Sequence, residues 1–552
     1  MKTIIIIRHI LFSTLLCNVL LSWAANRSER QAGQIVIGLD IVNVDGDKMD
    51  IVPGDTILLE AGVRDHLRFA NIHGDSLKRI TIMNKNAEVI IDTRDHYFGI
   101  QFHNCSNFRL TGSGDQDVEY GIKIVGTPAK TNGLSLGGLS TNYEIDHLEI
   151  SNTGFAGIFA LTQPDCSGKT TRGNFVMRNT SFHHNYIHDT FGEGFYIGHS
   201  FYTGYTVKNN GKDTTLLPHE IKDIRVYKNK LERCGYDAIQ LSCATENCEI
   251  FENEIVEYGY LNEKFQNSGI QIGGGSTGRC YNNAIIKGTG NGINVFGIGN
   301  NFIYNNIIVY PGYDIEQQMP QKQASYGIFC DDRATVKGYS FNFINNTIVA
   351  PGSDGIRIYS KESSGNKVYN NAILKPGSMG QYENVMKSYI NVSDGVDADV
   401  FDNFNSIHLS PYFDYTNIDQ LYDYCCSLNL KDQGTEVYSM GIFTDYRNNT
   451  RIIDEKTDIG AFEIASEDFK GVTQTKVKVY SNGTTGEIVI DNTYGDKIKS
   501  VGLYSMTGEL LTIKTNICDK EPKTTIHSGI EKKMILVSIS TDYSNTMHKI
   551  VF

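Results

Sequence analysis

Tryptophan, proline and clustered positive charge are scarce in this 552-residue chain. It holds one Trp and 10 Pro, and 63 Asp and Glu outweigh 50 Lys and Arg, for a formal net charge of −13. Binding a phosphate backbone takes grouped Lys and Arg, so this balance argues against nucleic acid and against a generally polyanionic partner. It leaves room for a local basic pocket. No CxxC pair marks a structural zinc site. Past the N-terminus, no stretch approaches the roughly 18 apolar residues of a membrane-spanning helix. Long patterns of period 3.6 are missing as well, which excludes a helical repeat.

The N-terminus indicates the compartment. Lys2 and Arg8 precede an apolar run from Ile10 to Leu21, and Ser22-Trp23-Ala24-Ala25 offers small residues for cleavage. This predicts a secretory signal peptide over residues 1–25, hence a secreted or cell-surface protein. The run is short for a retained anchor, and Leu15-Leu16-Cys17 lacks the small residue of a lipoprotein site. Disulfides are permitted in that compartment, and Cys243 and Cys248 are close enough in sequence to pair as a loop staple.

What the chain does have is repetition. One unit reads aromatic or aliphatic, x, Asn or polar, Asn, x, then usually Ile. Its second Asn is Asn185, Asn229, Asn253, Asn283, Asn306, Asn346 and Asn371, at intervals of 44, 24, 30, 23, 40 and 25. The short intervals set a coil of about two dozen residues, and the long ones carry inserted loops. A second unit reads Gly or Ala, apolar, x, apolar, as in Gly194-Phe195-Tyr196-Ile197 and Gly292-Ile293-Asn294-Val295. Strand side chains alternate faces, so the apolar columns face inward and x faces outward. Stacking equivalent strands of successive coils buries what one coil could not. Stacked Asn amides at the bend can bond along the ladder. The predicted fold is all-β, a right-handed parallel β-helix followed by a small C-terminal β-sandwich. Cys280 and Cys330 fall in inward columns and read as small core hydrophobes.

The segment Val52-Pro53-Gly54-Asp55-Thr56-Ile57-Leu58-Leu59 resembles the opening of many secreted β-helix proteins, and Asp458-Ile459-Gly460-Ala461-Phe462-Glu463 resembles a segment that closes such domains in Bacteroidetes. With the repeats, they make residues 50–463 resemble the pectate-lyase-like superfamily. That resemblance implies the fold and leaves function open among polysaccharide lyases, glycoside hydrolases, esterases, epimerases and adhesins. The expected organisation is a cap with first coils over 26–120, the β-helix over 121–465 and the sandwich over 470–552. The last segment resembles a type IX secretion sorting domain through Val479-Tyr480-Ser481-Asn482, Leu503 to Leu510 and His548-Lys549-Ile550-Val551-Phe552. It departs from that pattern at Ser481-Asn482-Gly483 and Lys533-Met534-Ile535, so a plain accessory β-domain stays open. The sorting resemblance implies secretion machinery as a partner.

Chemistry has to come from the outer faces. The position before the Gly or Ala of the second unit reads Glu193, Asp237, Ser268, Asn291, Tyr326 and Asp354. Coils stack about 4.7–4.9 Å apart, so Glu193 and Asp237 are neighbours, with Tyr196, Gln240 and Gln271 beside them. Paired carboxylates raise each other's proton affinity and suit glycosidic cleavage, while Gln and Tyr suit sugar hydroxyls. The same position is equally a turn site where Asp, Asn and Ser cap the backbone. Asp331 and Asp332, beside Arg333, are a second candidate catalytic pair with a guanidinium for a uronate; a charged turn with an internal ion pair competes. His199 and His219 bracket a long insertion and are candidate substrate contacts. His183, His184, His188 and Asp189 crowd one coil, where a polar outer wall is the simpler reading than a metal site. No cofactor or metal ligand set is assigned; bound calcium stays open.

These observations predict a monomeric carbohydrate-active enzyme acting on a polysaccharide or oligosaccharide. A glycoside hydrolase comes first, a polysaccharide lyase second and a non-catalytic adhesin third.

Overall fold

The computed structural model describes residues 30–551 other than 316–318, 321–323, 378–387, 467, 469–477, 483–486, 492–497, 506–509, 516–522, 528–533 and 542–544. The expected signal peptide lies outside the described residues, as do parts of the sorting-like motifs.

The body is a right-handed parallel β-helix. Its parallel coils run from strand Gln34–Ile37 to strand Phe404–Ser406. One wall is a sheet of twelve short parallel strands, including Ile158–Ala160, Phe195–Ile197, Ile239–Leu241, Ile270–Ile272, Ile293–Val295, Ile328–Cys330 and Ile356–Ile358. The remaining strands, typically two per coil, form the other walls and bend at the asparagine. Inward residues of all walls merge into one core in which Ile158, Phe195, Ile239, Ile270, Ile293 and Ile328 are wholly buried. Cys280 and Cys330 belong to that core, as their columns predict. The recurrent glycine has a steric reason. A Cβ at Gly157 would lie 2.6 Å from Ile187 Cγ2 on the opposite wall.

The doubled Asn of the repeat divides into two tasks. The first residue of the pair, such as Asn282, Asn305, Asn345 or Asn370, has a φ of 53–55°, a left-handed conformation that Asn tolerates better than most. The second builds the ladder. Asn253 Nδ2 donates to Asn283 Oδ1 at 2.9 Å, and Asn283 Nδ2 to Asn306 Oδ1 at 2.9 Å. Each Oδ1 also accepts a backbone N–H from the preceding coil, Asn253 N to Asn283 and Asn283 N to Asn306, both at 3.1 Å. The polar column is therefore buried and satisfied.

Residues 409–464 leave the coil path. The helix Ile418–Cys425 starts at Asn417, whose side chain accepts from Asp419 N and Gln420 N. Its residues Leu421 and Cys425, with Phe462 and Ile464, pack on Ile307, Val309, Val349 and Leu374. The segment around Asp458–Glu463 thus lies along the outer side of several coils: Gly460 N donates to Asn370 O and Ala461 N to Thr347 Oγ1. Arg451, fully buried, ties it down through Gly460 O and Asn305 Oδ1.

Beyond this lie two antiparallel sheets, Lys478–Asn482, Glu487–Asp491 and Lys523–His527 in one, and Leu510–Thr515, Ile498–Ser505, Met534–Thr541 and Asn545–Val551 in the other. Ile488 and Ile490 of the first share a core with Val501, Leu503, Val537 and Ile539 of the second, the small sandwich expected from the sequence.

One expectation fails in the core. Cys243 and Cys248 are both buried and free. Their sulfurs turn to different acceptors, His199 O and Glu246 O, so sequence proximity does not produce a staple. Among the described residues no helix is long and apolar enough to cross a membrane.

Candidate active site

The outer face of the twelve-stranded sheet carries the column Phe159, Tyr196, Gln240, Gln271, Asn294, Phe329 and Arg357, in register from coil to coil. Long insertions leave the edges of this sheet, among them the hairpin Tyr205–Asn209 with Lys212–Leu216. The position three residues before each of these column members shares the same face. Asn291 Nδ2 donates to Asn294 Oδ1 at 2.7 Å, and Arg357 Nη1 to Asp354 Oδ2 at 3.0 Å. Glu193 and Asp237 occupy that position beside Tyr196 and Gln240, one coil apart.

Both carboxyls are buried, 2 % and 0 % exposed. This corrects the expectation of open, solvent-facing acids. The turn cap explains half of Asp237: its Oδ1 accepts Ser268 N at 2.6 Å, as Asn291 accepts Tyr326 N and Asp354 accepts Ser388 N. It does not explain the rest. Asp237 Oδ2, Glu193 Oε2 and Gln240 Nε2 are all buried without a hydrogen-bond partner among the described residues. Three such atoms in neighbouring coils are unusual, since each orphaned group costs about 1–3 kcal/mol.

Burial, together with the Asp237 charge, pushes the Glu193 carboxyl up to about 8. Burial raises Asp237 to about 7, opposed by the Ser268 backbone and side chain. Among the described residues no cation contributes to either shift. At neutral pH the pair therefore keeps a proton. Glu193 is its natural holder, because Asp237 has the N–H that favours the charged form.

Aromatic rings wall this spot. Phe159 stacks on Tyr196 at 5.1 Å, and Phe155 lies 6.1 Å from Tyr196 and 6.5 Å from Tyr236. Gly192 leaves the room for it, since a Cβ there would meet the Phe155 ring. Burial raises the Tyr236 hydroxyl, with Glu263 and Glu193 adding to it. Ser268 stands in the same expected column as Asp237, whereas Phe155 and Tyr236 are not among the residues expected there. The signal was present: Phe155 and Tyr236 fall one position before the column that holds Glu193 and Asp237. The Tyr196 hydroxyl reaches Ser200 Oγ at 2.7 Å, and Gln271 Nε2 lies 3.5 Å from Gln240 Oε1, so these predicted contacts are brought together.

The other candidates sit elsewhere. Asp331 and Arg333 form a bidentate pair, Nε to Oδ1 at 3.0 Å and Nη2 to Oδ2 at 2.6 Å. The Arg333 guanidinium lies over Phe296, and Asp332 Oδ2 accepts Lys361 N. This is the charged turn with its internal ion pair, three coils past Asp237, or about 14 Å along the axis at about 4.8 Å per coil. His219 is sealed: Nε2 accepts Thr162 N at 3.1 Å and Nδ1 donates to Glu220 O at 3.0 Å. Burial holds it down to about 4, hence neutral. It supports the insertion rather than touching a ligand. His199 stacks on Tyr205 at 5.1 Å, and its Nδ1 accepts Phe201 N. His188 and Asp189 are engaged with Glu149 and Arg233, so that coil is a polar outer wall.

Residues 221–373 match the family model for the right-handed β-helix region. No curated protein matches the chain. Solved structures of similar fold include a GH136 lacto-N-biosidase from Eubacterium ramulus, 11% identical, covering 68% of each chain with a TM-score of 0.43. Another is the pectate lyase Pel9A, 12% identical, covering 79% of this chain and 98% of that one at a TM-score of 0.39. A third is an alginate lyase from a Paenibacillus species, 14% identical, covering 66% and 99% at 0.35.

Proposed function

We propose that the chain is a carbohydrate-active enzyme, a glycoside hydrolase whose working groups are Glu193 and Asp237. The observation that carries this reading is the pair itself: two buried carboxyls in adjacent coils, each with one unpartnered oxygen, uncompensated by any cation among the described residues. Glu193, the proton holder, serves as general acid to the leaving oxygen. Asp237, held by Ser268 N, is the nucleophile or the base that activates water. A coil spacing of about 4.8 Å is closer to the roughly 5–5.5 Å of retaining enzymes than to the wider inverting pairs. Gln240 and Gln271 offer hydrogen bonds to sugar hydroxyls, and Phe159, Tyr196 and Tyr236 offer rings on which a sugar can stack.

A lyase needs a positive group on the uronate carboxylate as well as a base. Two arginines stand in this outward column: Arg357 is already paired with Asp354, four coils past Asp237, or about 19 Å at about 4.8 Å per coil, and Arg68 donates to Gln101, five coils before Asp237, or about 24 Å. The turn bond that Asp237 shares with Asn291 and Asp354 favours, as a second reading, a non-catalytic glycan-binding solenoid.

Incubating the purified chain with a panel of plant and host glycans, and recording reducing ends together with the absorbance of unsaturated uronates, separates these readings. Reducing ends alone that vanish in Glu193→Gln and Asp237→Asn support the hydrolase. Unsaturated products replace it with a lyase. Glycan binding without turnover replaces it with the binder.

A further inference from the structure

The first coils hold a cluster that the proposed site does not use. Asp65 and His66 form the two-residue link between strands Thr56–Arg64 and Leu67–Ala70, and His96 lies in the equivalent link of the next coil, between Ile80–Asp92 and Phe98–His103. Stacking brings the three side chains to one point. Asp65 Oδ2 is 2.7 Å from His66 Nδ1 and 3.1 Å from His96 Nε2. The imidazole centroids are 3.5 Å apart, and Phe98 lies edge-on to His66 at 5.8 Å. Asp65 is held below the usual carboxylate range, mainly by its bond to His66 and also by His96 and the Thr93 hydroxyl. Thr93 also accepts His96 N at 3.2 Å, so it fixes both partners. Nearby Arg94 pairs with Asp92 and brings no free positive charge.

We propose that Asp65, His66 and His96 bind a divalent transition ion, Zn²⁺ by chemistry, through Oδ2, Nδ1 and Nε2. The two imidazole nitrogens are borderline donors that suit Zn²⁺ and not Ca²⁺ or Mg²⁺, and a single carboxylate oxygen is compatible with Zn²⁺ as third ligand. Ligands about 2.0–2.2 Å from a tetrahedral Zn²⁺ stand about 3.3–3.5 Å from each other, so the 2.7 Å spacing would open by about 0.6–0.8 Å and the 3.1 Å spacing by about 0.2–0.4 Å, while all three ligand atoms already lie within 4.8 Å of one another. His66 is buried, whereas the side chains of Asp65 and His96 are 48 % and 43 % exposed. The fourth position therefore faces solvent and is left for water. The ion would pin two successive turns of the first coils to each other. A second cluster of this kind among the described residues, Glu144, Asp146 and His183, lacks this freedom, because Arg109 grips Asp146 at 2.7 and 2.9 Å.

Calorimetric titration of the chelator-stripped full chain with ZnCl₂ tests the site, with MgCl₂ and CaCl₂ as comparisons. One equivalent of Zn²⁺ should bind and raise the melting temperature by several degrees, with no matching response to the other two ions. His96→Ala should lose that equivalent while keeping the native circular dichroism. If His96→Ala misfolds, His96→Gln, at a half-buried position of the link, should show the same loss. Absence of Zn²⁺ uptake by the unaltered chain, or an unchanged stoichiometry in the folded His96 variant, overturns the proposal. Neither result bears on Glu193 and Asp237.

Discussion

Glu193 and Asp237 stand one coil apart at the same position of the repeat, and each keeps one buried carboxylate oxygen, Oε2 and Oδ2, without a hydrogen-bond partner among the described residues. A purely structural acid at a turn would have both oxygens engaged or open to water. On this reading, Glu193→Gln and Asp237→Asn each lower turnover by about 10²–10⁴-fold, the range of a lost general acid or base. Asp331→Asn and Asp332→Asn leave it within a few-fold. Initial rates on whichever glycan the panel identifies check this, and equal losses in all four variants would count against the assignment.

The same burial has a signature in stability. Glu193 and Asp237 have folded pKa values raised to about 8 and about 7, from ordinary values of 4.5 and 3.8. The folded state thus binds more protons than the unfolded one between about pH 4 and 8. Stability linked to them is present below pH 4 and is lost as pH rises through that window, by at most about 1.4 kcal/mol per pH unit for each proton. Urea melts of Glu193→Gln and the parent from pH 5 to 8 should show the variant gaining relative to the parent as pH rises. A constant difference would show that the carboxyl does not titrate there.

The asparagine ladder can be broken at one rung. Asn283 donates to Ile250 O, Tyr281 O and Asn306 Oδ1, and accepts from Asn253 N and Nδ2. Asn283→Leu orphans the buried Asn253 donors and is expected to cost about 2–5 kcal/mol, at about 1–3 for each orphaned group. Asn179, bonded to Asn142 at an exposed position, has a φ of 47°, so Asn179→Gly, which keeps that conformation, should lose no more than about 1 kcal/mol. Denaturant midpoints of the two variants check the contrast.

Among the nine described cysteines, Cys166 alone is exposed. Among these nine, a thiol reagent should label Cys166 first in the folded chain and reach the buried eight only on unfolding. Peptide mapping after brief labelling identifies the site. Early modification of Cys243 or Cys248 would show that their coils open.

The coil was legible because its inward columns repeat with period two over seven turns, and because Asn recurs where a bend must satisfy its backbone. The companionship of Glu193, Tyr196, Asp237 and Gln240 was also readable, from register alone. Their burial was not, since register fixes which residues are neighbours and not how deeply they are covered. Cys243 and Cys248 show the limit of spacing, because the coil aims their sulfurs at different carbonyls. His66 and His96 meet only because two turns of unequal chain length are stacked. Nor does any pattern announce that Phe462 and Ile464 cover the outer side of Ile307 and Val309, because a core-like column looks the same whether it faces the interior or a covering segment.

The ladder runs unbroken although the chain between its rungs varies from 23 to 44 residues. Whatever is inserted between two rungs leaves the amide contacts above and below it unchanged. The scaffold thus separates inheritance of shape from experiment with surface. A segment of twenty residues can be exchanged at the edge of the twelve-stranded sheet while the amide ladder, and with it the frame, stays fixed.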